Sequence, residues 1–334
     1  MKKVSGWVVY FVNSHKTFKN FIYVLNISMV KTLKNKSRKI SNKTRKMGGS
    51  IVSSLRKYLK GYKDHQFSNT DLKKTVKLYK QNKKSIERKY GKIEDWDVSN
   101  VTDMSNLFKN FKKFDEPIGK WDVSNVLIMN SMFDGAESFN NPIEDWDMEN
   151  KVHCISMFRN AKSFNQPIGK WNTRYLKNMK NMFEGAESFN QNISAWDTSN
   201  VIEMKCLFKN AKSFNQPIGK WKTSKVTNME SMFEGAESFN QPIDKLATGN
   251  VVTFKSMFKN AKNFDKQIGS WTTSKVIDMS SMFQDAEEFN QELGKWNVEN
   301  VLSIKDMFLN SAFDRSLKYW HLKSMIERMT QKKV

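Results

Sequence analysis

The amino-acid sequence predicts an α/β repeat fold, a solenoid of nine 25-residue repeats in which each repeat contributes a short strand and a short helix. Tryptophan recurs every 25 residues from Trp96 to Trp296, with Leu246 at the one substituted position, and an aliphatic residue precedes each of these positions by three. A phenylalanine follows each of them after twelve residues. One repeat cannot bury its own apolar face, so stacked repeats share a core. We expect this core to include Trp96, Phe108, Trp121, Phe133, Trp171, Phe183, Trp196, Phe208, Trp221 and Phe233.

The apolar spacing inside a repeat predicts the helix. Val101, Met104, Leu107, Phe108 and Phe111 are separated by 3, 3, 1 and 3 residues, which places them on one helical face. We therefore expect a helix of about 8–10 residues, with Ser99 or Asn100 as its N-cap. The segment Phe-Asn-Gln-Pro-Ile that follows is expected to be extended, because proline disfavours helix at the preceding residue.

Methionine recurs eight and eleven residues after the tryptophan, as at Met129 and Met132. Such a row could bind a soft metal or a peptide, but it lies on the same predicted helical face as the phenylalanine, so adaptable core filling is the favoured interpretation. Asparagine follows a phenylalanine in a second row, as at Asn165 and Asn190. We favour an amide ladder that satisfies backbone groups over a polar recognition strip.

Charge alternates from repeat to repeat at two positions. Sixteen residues after the tryptophan register, the sequence reads Lys112, Glu137, Lys162, Glu187, Lys212, Glu237, Lys262 and Glu287. A second alternating row, thirteen residues after the register, runs from Lys109 to Glu234 and on to Lys259. Stacking would place opposite charges next to each other in both rows, so we predict that these charges set the register of a 50-residue pair of repeats.

The ends of the stack need caps, and the sequence divides into four segments: a basic extension (1–69), an N-terminal capping helix region (70–92), the nine repeats (93–312), and a C-terminal half-repeat with a capping helix (313–334). Thr70 is a possible N-cap of the first helix. Leu317 and Trp320 repeat the aliphatic–tryptophan signature one residue early.

The positive charge lies almost wholly in the N-terminal segment. Residues 1–90 hold 24 Lys+Arg and 3 Asp+Glu, whereas residues 91–334 hold 32 and 31. Such a segment either binds nucleic acid or anionic lipid without sequence specificity or is a solvated linker. The candidate polyanion contacts are Lys34, Lys36, Arg38, Lys39, Lys43, Arg45 and Lys46.

Residues 1–30 contain two apolar clusters, Trp7–Val12 and Phe18–Val30, which polar residues separate. Each is shorter than a membrane span, so a structured or surface-lying extension is favoured over a signal peptide or anchor. Cys154 and Cys206 are two repeats apart, about 10 Å in a stack, so we expect no disulfide.

The pattern Ile-x-x-Trp-Asp-Val-Ser-Asn-Val-x-x-Met-x-x-Met-Phe resembles the BspA-like, leucine-rich-repeat-related family, and Trp96 to Met104 carry it residue by residue. The resemblance covers residues 70–312. It implies a leucine-rich-repeat-like right-handed solenoid and a role in adhesion or protein binding, with no catalytic residues to carry over. The lysine- and asparagine-rich composition suits a giant-virus or mollicute gene.

We therefore predict a monomeric, non-enzymatic scaffold for an unidentified protein partner, without cofactor or metal. Its four histidines have no metal-ligand spacing, and the sequence has neither a phosphate loop nor a nucleophile elbow. The alternative is a protein tethered to nucleic acid or an anionic membrane through residues 1–63. An intracellular location, in host cytoplasm or virion, is favoured over the cell surface, because no clear signal peptide begins the chain.

Overall fold

The computed structural model describes residues 65–149, 153–318 and 320, all within one unit, Gly61–Val334. The apolar clusters of residues 1–30, the candidate polyanion contacts and the predicted C-terminal capping helix lie outside these residues. The nine repeats are called turns 1–9. The register residue of a turn is its recurring tryptophan, from Trp96 in turn 1 to Trp296 in turn 9, with Leu246 in turn 7. A position is the number of residues after the register residue of its turn. No helix in the described part of the chain is long and apolar enough to cross a membrane.

Two helices precede the first turn, α1 (Asn69–Gln81) and α2 (Lys83–Tyr90), followed by a short 3-10 helix (Ile93–Asp95). The N-cap of α1 is Ser68, whose hydroxyl accepts from the Asp71 amide at 3.2 Å, and not Thr70 as the sequence analysis expected. Leu72, Val76 and Tyr79 of α1 are buried, and the Tyr79 ring lies 5.7 Å from that of Trp96. The helix thus covers part of the first turn.

Successive turns pair through single parallel β-bridges at position 7, from Asp103↔Ile128 to Asp278↔Ser303, and Gln66 pairs with Asp97 at the start of the stack. In the described residues these pairings are isolated bridges and do not extend into strands. Beside them, every second amide of positions 8–14 donates to the next turn, 24 residues further along. In turn 5, Cys206 N donates to Glu230 O at 2.9 Å and Phe208 N to Met232 O at 2.9 Å.

The helix predicted within each repeat is wrong. Positions 8–15 form hydrogen-bonded turns in which the amides at positions 11, 13 and 15 bond back three residues, as from Leu207 N to Met204 O at 3.2 Å. The amide at position 9 bonds the side chain at position 7 in most turns, as from Lys205 N to Glu203 Oε1 at 2.8 Å. Two residues in each turn have positive φ, at positions 10 and 14, such as Cys206 (54°) and Asn210 (56°). A left-handed residue every fourth position breaks an α-helix, because a right-handed helix needs negative φ throughout. Ser99 therefore caps no helix, and its amide and hydroxyl instead bond Asp97.

The core consists of aromatic rows that run along the stack. The phenylalanines at positions 12 and 18 of one turn stack with ring centroids 3.8–4.1 Å apart. Position-12 rings of consecutive turns stack with centroids 5.5–5.8 Å apart. Trp196 and Trp221 are parallel at 6.5 Å. All ten predicted core residues are buried, which confirms this prediction: Trp96, Phe108, Trp121, Phe133, Trp171, Phe183, Trp196, Phe208, Trp221 and Phe233.

The tryptophans also satisfy backbone acceptors. Trp196 Nε1 donates to Ile168 O at 3.0 Å, and the same bond, 28 residues back, recurs at Trp121, Trp171, Trp221, Trp271 and Trp296. The one turn with leucine at the register, Leu246, has phenylalanine in place of methionine at position 8, and the Phe254 ring lies 5.3 Å from Trp271. Trp320 continues the row, stacking on Trp296 at 6.5 Å and donating to Leu293 O.

Glycine at position 23 of turns 1, 3, 5 and 7 shows how closely the turns approach. A Cβ added to Gly219 would overlap the carbonyl oxygen of Pro242 in the next turn. Turn 4 has Ser194 at the same position, so the constraint belongs to the odd-numbered turns.

We predict that Gly219→Ala lowers the free energy of unfolding by about 1–3 kcal/mol, because the carbonyl of Pro242 must move to admit a methyl group. Chemical denaturation of the full chain measures this change. Ser194→Ala is the matched control and should unfold close to the parent midpoint. Equal midpoints for Gly219→Ala and the parent would contradict the packing.

Candidate functional site

The asparagine row at position 19 is an amide ladder, as the sequence analysis favoured. Asn190 Oδ1 accepts from the amide of Asn215 at 2.9 Å, and the same side-chain-to-backbone bond links the row from Asp115 to Asn290. Glutamine at position 20 adds a second donor, as from Gln216 Nε2 to Asn190 Oδ1 at 2.9 Å. These acceptors are therefore engaged in stacking.

The methionine row is part of the core, which confirms the favoured interpretation. Met129, Met132, Met179 and Met182 are at most 1% exposed. Cys154 and Cys206 are buried at two different positions of the repeat. Among the described residues, no three His, Cys, Asp or Glu side chains are grouped so that they could hold a metal ion.

The two charge rows form ion pairs between neighbouring turns. At position 13, Asp134 is almost fully buried and binds Arg159 at 2.9 Å (Nε–Oδ1) and 2.8 Å (Nη2–Oδ2). At position 16, Glu187 lies between Lys162 (4.0 Å) and Lys212 (3.0 Å). The hydrogen bond that the Lys212 ammonium donates to the Glu187 carboxylate raises the pKa of Lys212.

Burial disfavours the charged form of one carboxylate of these rows. It raises the pKa of Glu184, although the charges of Arg159 and Lys209 act in the other direction. The alternation therefore matters most at Glu184, which lies between the cations Arg159 and Lys209. If the register slipped by one turn, this half-buried carboxylate would lose both cations and its charge would be uncompensated.

Position 6 is the row that stacking leaves unused. Its aliphatic side chains are 40–51% exposed at Leu127, Ile202, Val252 and Ile277, while position 8 of the same turns is buried. The backbone beneath the row is a ladder, since Val252 N donates to Thr227 O at 2.9 Å and Ile277 N to Val252 O at 2.9 Å. From Ile202 to Ile277 the row thus forms an exposed, mostly aliphatic ridge, which Thr227 interrupts, on a hydrogen-bonded backbone.

Residue type varies from turn to turn at positions 6, 7 and 9, which lie side by side along this ridge. Position 7 includes Ile128, His153, Glu203 and Thr253, all at least partly exposed. Position 9 includes Ile155, Lys205, Glu230 and Lys255. By contrast, positions 12, 18 and 22 are almost constant across the nine turns, because they pack in the core. We call positions 6, 7 and 9 the variable strip.

A row of paired polar side chains borders the variable strip at position 4. Lys225 Nζ donates to Asn200 Oδ1 at 2.7 Å, and Lys275 Nζ to Asn250 Oδ1 at 2.6 Å. On the other side of the position-6 ridge, Lys205 and Glu230, both at position 9 of the strip, form an ion pair at 2.8 Å. The apolar ridge therefore runs between polar borders. The sequence analysis did not identify this strip, although position-by-position comparison of the nine repeats carries the signal.

We predict that changing both Glu187 and Glu237 to Lys lowers the melting temperature, and lowers it more at low salt. The change puts five lysines at position 16 of consecutive turns, so that attraction between neighbouring turns becomes repulsion. Each exposed ion pair contributes about 0–1 kcal/mol. Calorimetry at two salt concentrations measures the shift. The melting temperature of the control, Glu187→Gln with Glu237→Gln, should fall less. An unchanged melting temperature for the lysine variant would show that the charge rows do not set the register of the turns.

One family model matches the chain, the one described as "Mycoplasma protein of unknown function, DUF285". It matches three times, over residues 70–187, 167–261 and 241–332. No curated protein and no solved structure matches the chain. The three matches together cover residues 70–332, the capping helices and the whole stack of turns. The chain therefore belongs to the DUF285 family of Mycoplasma-type repeat proteins of unknown function.

Proposed function

We propose that the chain is a non-enzymatic scaffold that binds another protein, in an interaction or adhesion role, through the variable strip. The observation that carries the proposal is the exposed aliphatic ridge at position 6, in which Ile202, Val252 and Ile277 are 40–48% exposed. Exposed apolar side chains in a contiguous row are typical of protein interaction sites.

The ridge is long enough for a specific contact. Five consecutive turns contribute to it: Ile202, Thr227, Val252, Ile277 and Leu302. With neighbouring backbones about 5 Å apart, these side chains extend over about 20 Å. Apolar residues enclosed by a polar border match the anatomy of a protein–protein interface, in which the border excludes water from the central contacts.

The remaining faces support this assignment by being engaged already. The asparagine ladder and the charge rows use their polar groups for neighbouring turns, as Asn190 and Glu187 illustrate. A ligand that took these groups would compete with stacking. The aliphatic ridge at position 6 offers contacts without that competition, whereas polar side chains at positions 7 and 9 are partly engaged, as in the bond from Lys205 N to Glu203 Oε1 at 2.8 Å.

We also propose that the fold is a leucine-rich-repeat-like right-handed solenoid of the BspA-like type. The parallel stack of 25-residue turns, with a bridged backbone at position 7, supports this proposal. In such an architecture rigid backbone supports a surface whose side chains vary, which suits protein recognition. The carboxylates of the stack act in ion pairs between turns, as at Asp134, which supports a structural role for them over a catalytic one.

A second function rests on charge. Residues 1–63 contain sixteen Lys+Arg and no Asp or Glu, so this segment would bring the chain to nucleic acid or an anionic membrane through counterion release. Its seven candidate contacts, from Lys34 to Lys46, lie outside the described residues. This interpretation stays a prediction from the sequence and is compatible with a scaffold role for the turns.

We predict that Ile202→Asp with Val252→Asp abolishes capture of a protein partner by the immobilised full chain. Both side chains are exposed, so the charges should disrupt the apolar contact and leave folding intact. Ser213→Asp with Asn263→Asp is the matched control, because both residues are exposed at position 17 of the same two turns.

The readout is quantitative mass spectrometry of proteins retained from an extract of the native cells, with circular dichroism to verify folding. A protein retained by the parent and the control but lost from the strip variant supports the proposal. Equal retention by all three chains, equal loss from both variants, or no retained protein would count against it.

A further inference from the structure

The first turn has an open backbone edge. In every later turn, the carbonyl oxygens at positions 9, 11 and 13 accept amides from the turn before, as when Glu234 O accepts from Asn210 N at 2.7 Å. Turn 1 has no preceding repeat. Within the described part of the chain, no backbone amide donates to the carbonyls of Ser105, Leu107 or Lys109.

Helix α1 does not close this edge. Its interior amides are used within the helix, so it cannot supply a row of backbone donors. A groove of about 400 Å³ remains between the two elements. The groove is lined from the helix by Lys73, Val76, Lys77 and Lys80, and from turn 1 by Ser105, Asn106, Leu107, Lys109 and Phe111. The groove therefore combines an apolar floor with free backbone acceptors, which favours an added peptide segment.

The rim of the groove is cationic. Lys73 pairs with Asp103 at 2.6 Å and Lys109 with Asp134 at 3.3 Å. Lys77 and Lys80 have no ion pair among the described residues, and the Lys80 ammonium bonds Asn110 O at 2.7 Å. Residues 1–63 contain no acid, so their charge has the same sign as the rim. Charge complementarity therefore favours an acidic segment from another protein over this chain's own N-terminal residues.

The alternation of the turns specifies the segment further. The turns that precede basic turns 3, 5 and 7 have an acid at positions 13 and 16 and glycine at position 14, as at Glu234, Gly235 and Glu237. Turn 1 is of the basic type, with Lys109 and Lys112. The turn that would complete it is acidic and contains glycine, which accepts the positive φ needed at that position.

A second copy of the chain does not meet this requirement with its last turn. Turn 9 has Leu309 and Ala312 at positions 13 and 16, where an acid is expected. Nucleic acid also lacks the row of amide donors that the carbonyl edge requires.

We propose that the groove between α1 and turn 1 binds an acidic, glycine-containing peptide segment of a partner protein, whose backbone amides pair with the carbonyls of Ser105, Leu107 and Lys109. This site uses the backbone edge of turn 1, and although Ser105 occupies position 9 of the variable strip, it is independent of the side-chain contacts proposed there. The segment adds one backbone edge beside turn 1 without displacing α1, which already covers Met104 and Phe108, and its carboxylates lie against the lysines of the rim.

The test uses the full chain and a blocked, fluorescent peptide with the sequence MESMFEGAES, which is that of residues 229–238. In the stack, the amides of Ser231, Phe233 and Gly235 donate to the next turn, so the free peptide carries the required donors and three glutamates. A second peptide is N-methylated at those three residues. A control peptide is N-methylated at Glu237 only. Fluorescence anisotropy measures binding.

We expect the parent and control peptides to bind, and the triply methylated peptide to bind at least about tenfold more weakly, since three hydrogen bonds are lost. Lys77→Glu in the chain should weaken parent binding severalfold. Lys74→Glu, exposed on α1 outside the groove, should not.

Four results would overturn the proposal. Equal binding of all three peptides would mean attraction by charge alone. Equal weakening by Lys74→Glu and Lys77→Glu would place binding outside the groove, and absence of binding at millimolar peptide would exclude the site. Binding of an oligonucleotide of matched charge as tightly as the peptide would also contradict backbone pairing.

Discussion

The structure depends on one backbone interaction, the hydrogen bond from an amide to the carbonyl 24 residues further along. Because every second amide of positions 8–14 makes it, each turn is fixed to the next in a single register. The remaining amides find partners within the turn: those at positions 11 and 13 bond the carbonyl three residues back, with positive φ at positions 10 and 14, and those at position 9 mostly bond the side chain at position 7, as at Lys205 and Glu203. Residues that tolerate this conformation, chiefly Asn, Asp, Ser and Gly, occupy those positions. The 25-residue period thus repeats because the backbone bonding repeats, and the aromatic rows stack as a consequence.

A fixed register brings like positions into contact, so the sequence must prevent identical side chains from clashing. Alternation solves this at position 14, where a Cβ on Gly235 would overlap the Asn210 side chain of the turn before. It also solves it in the charge rows, where Asp134 lies between Lys109 and Arg159. The 50-residue pair of turns is therefore a packing requirement, and it makes the first turn, a basic one, complementary to an acidic neighbour.

The stacked rows could be predicted from sequence because period and residue type alone reveal them, and the core tryptophans, the methionines and the asparagine ladder followed. The helix within each repeat was wrong because the spacing of Val101, Met104, Leu107 and Phe108 records which residues point inward and nothing about φ. Asn or Gly recurring at position 14 was the available signal. The variable strip was missed because an exposed row has no constant residue; position-by-position comparison of the repeats carries the signal, and the exposure of Ile202, Val252 and Ile277 makes it evident. The open edge of turn 1 required the hydrogen-bond pattern itself.

Native-state hydrogen exchange of the full chain tests the register most directly. Ser231, Ser256 and Ser281 occupy position 10, and their amides bond the next turn at 2.8–2.9 Å, whereas Asp306 occupies the same position in the last turn, where no such bond is made among the described residues. The account predicts slow exchange at the three serines, governed by unfolding of the stack, and fast exchange at Asp306. Equal protection at all four amides, or fast exchange at the serines, would contradict it.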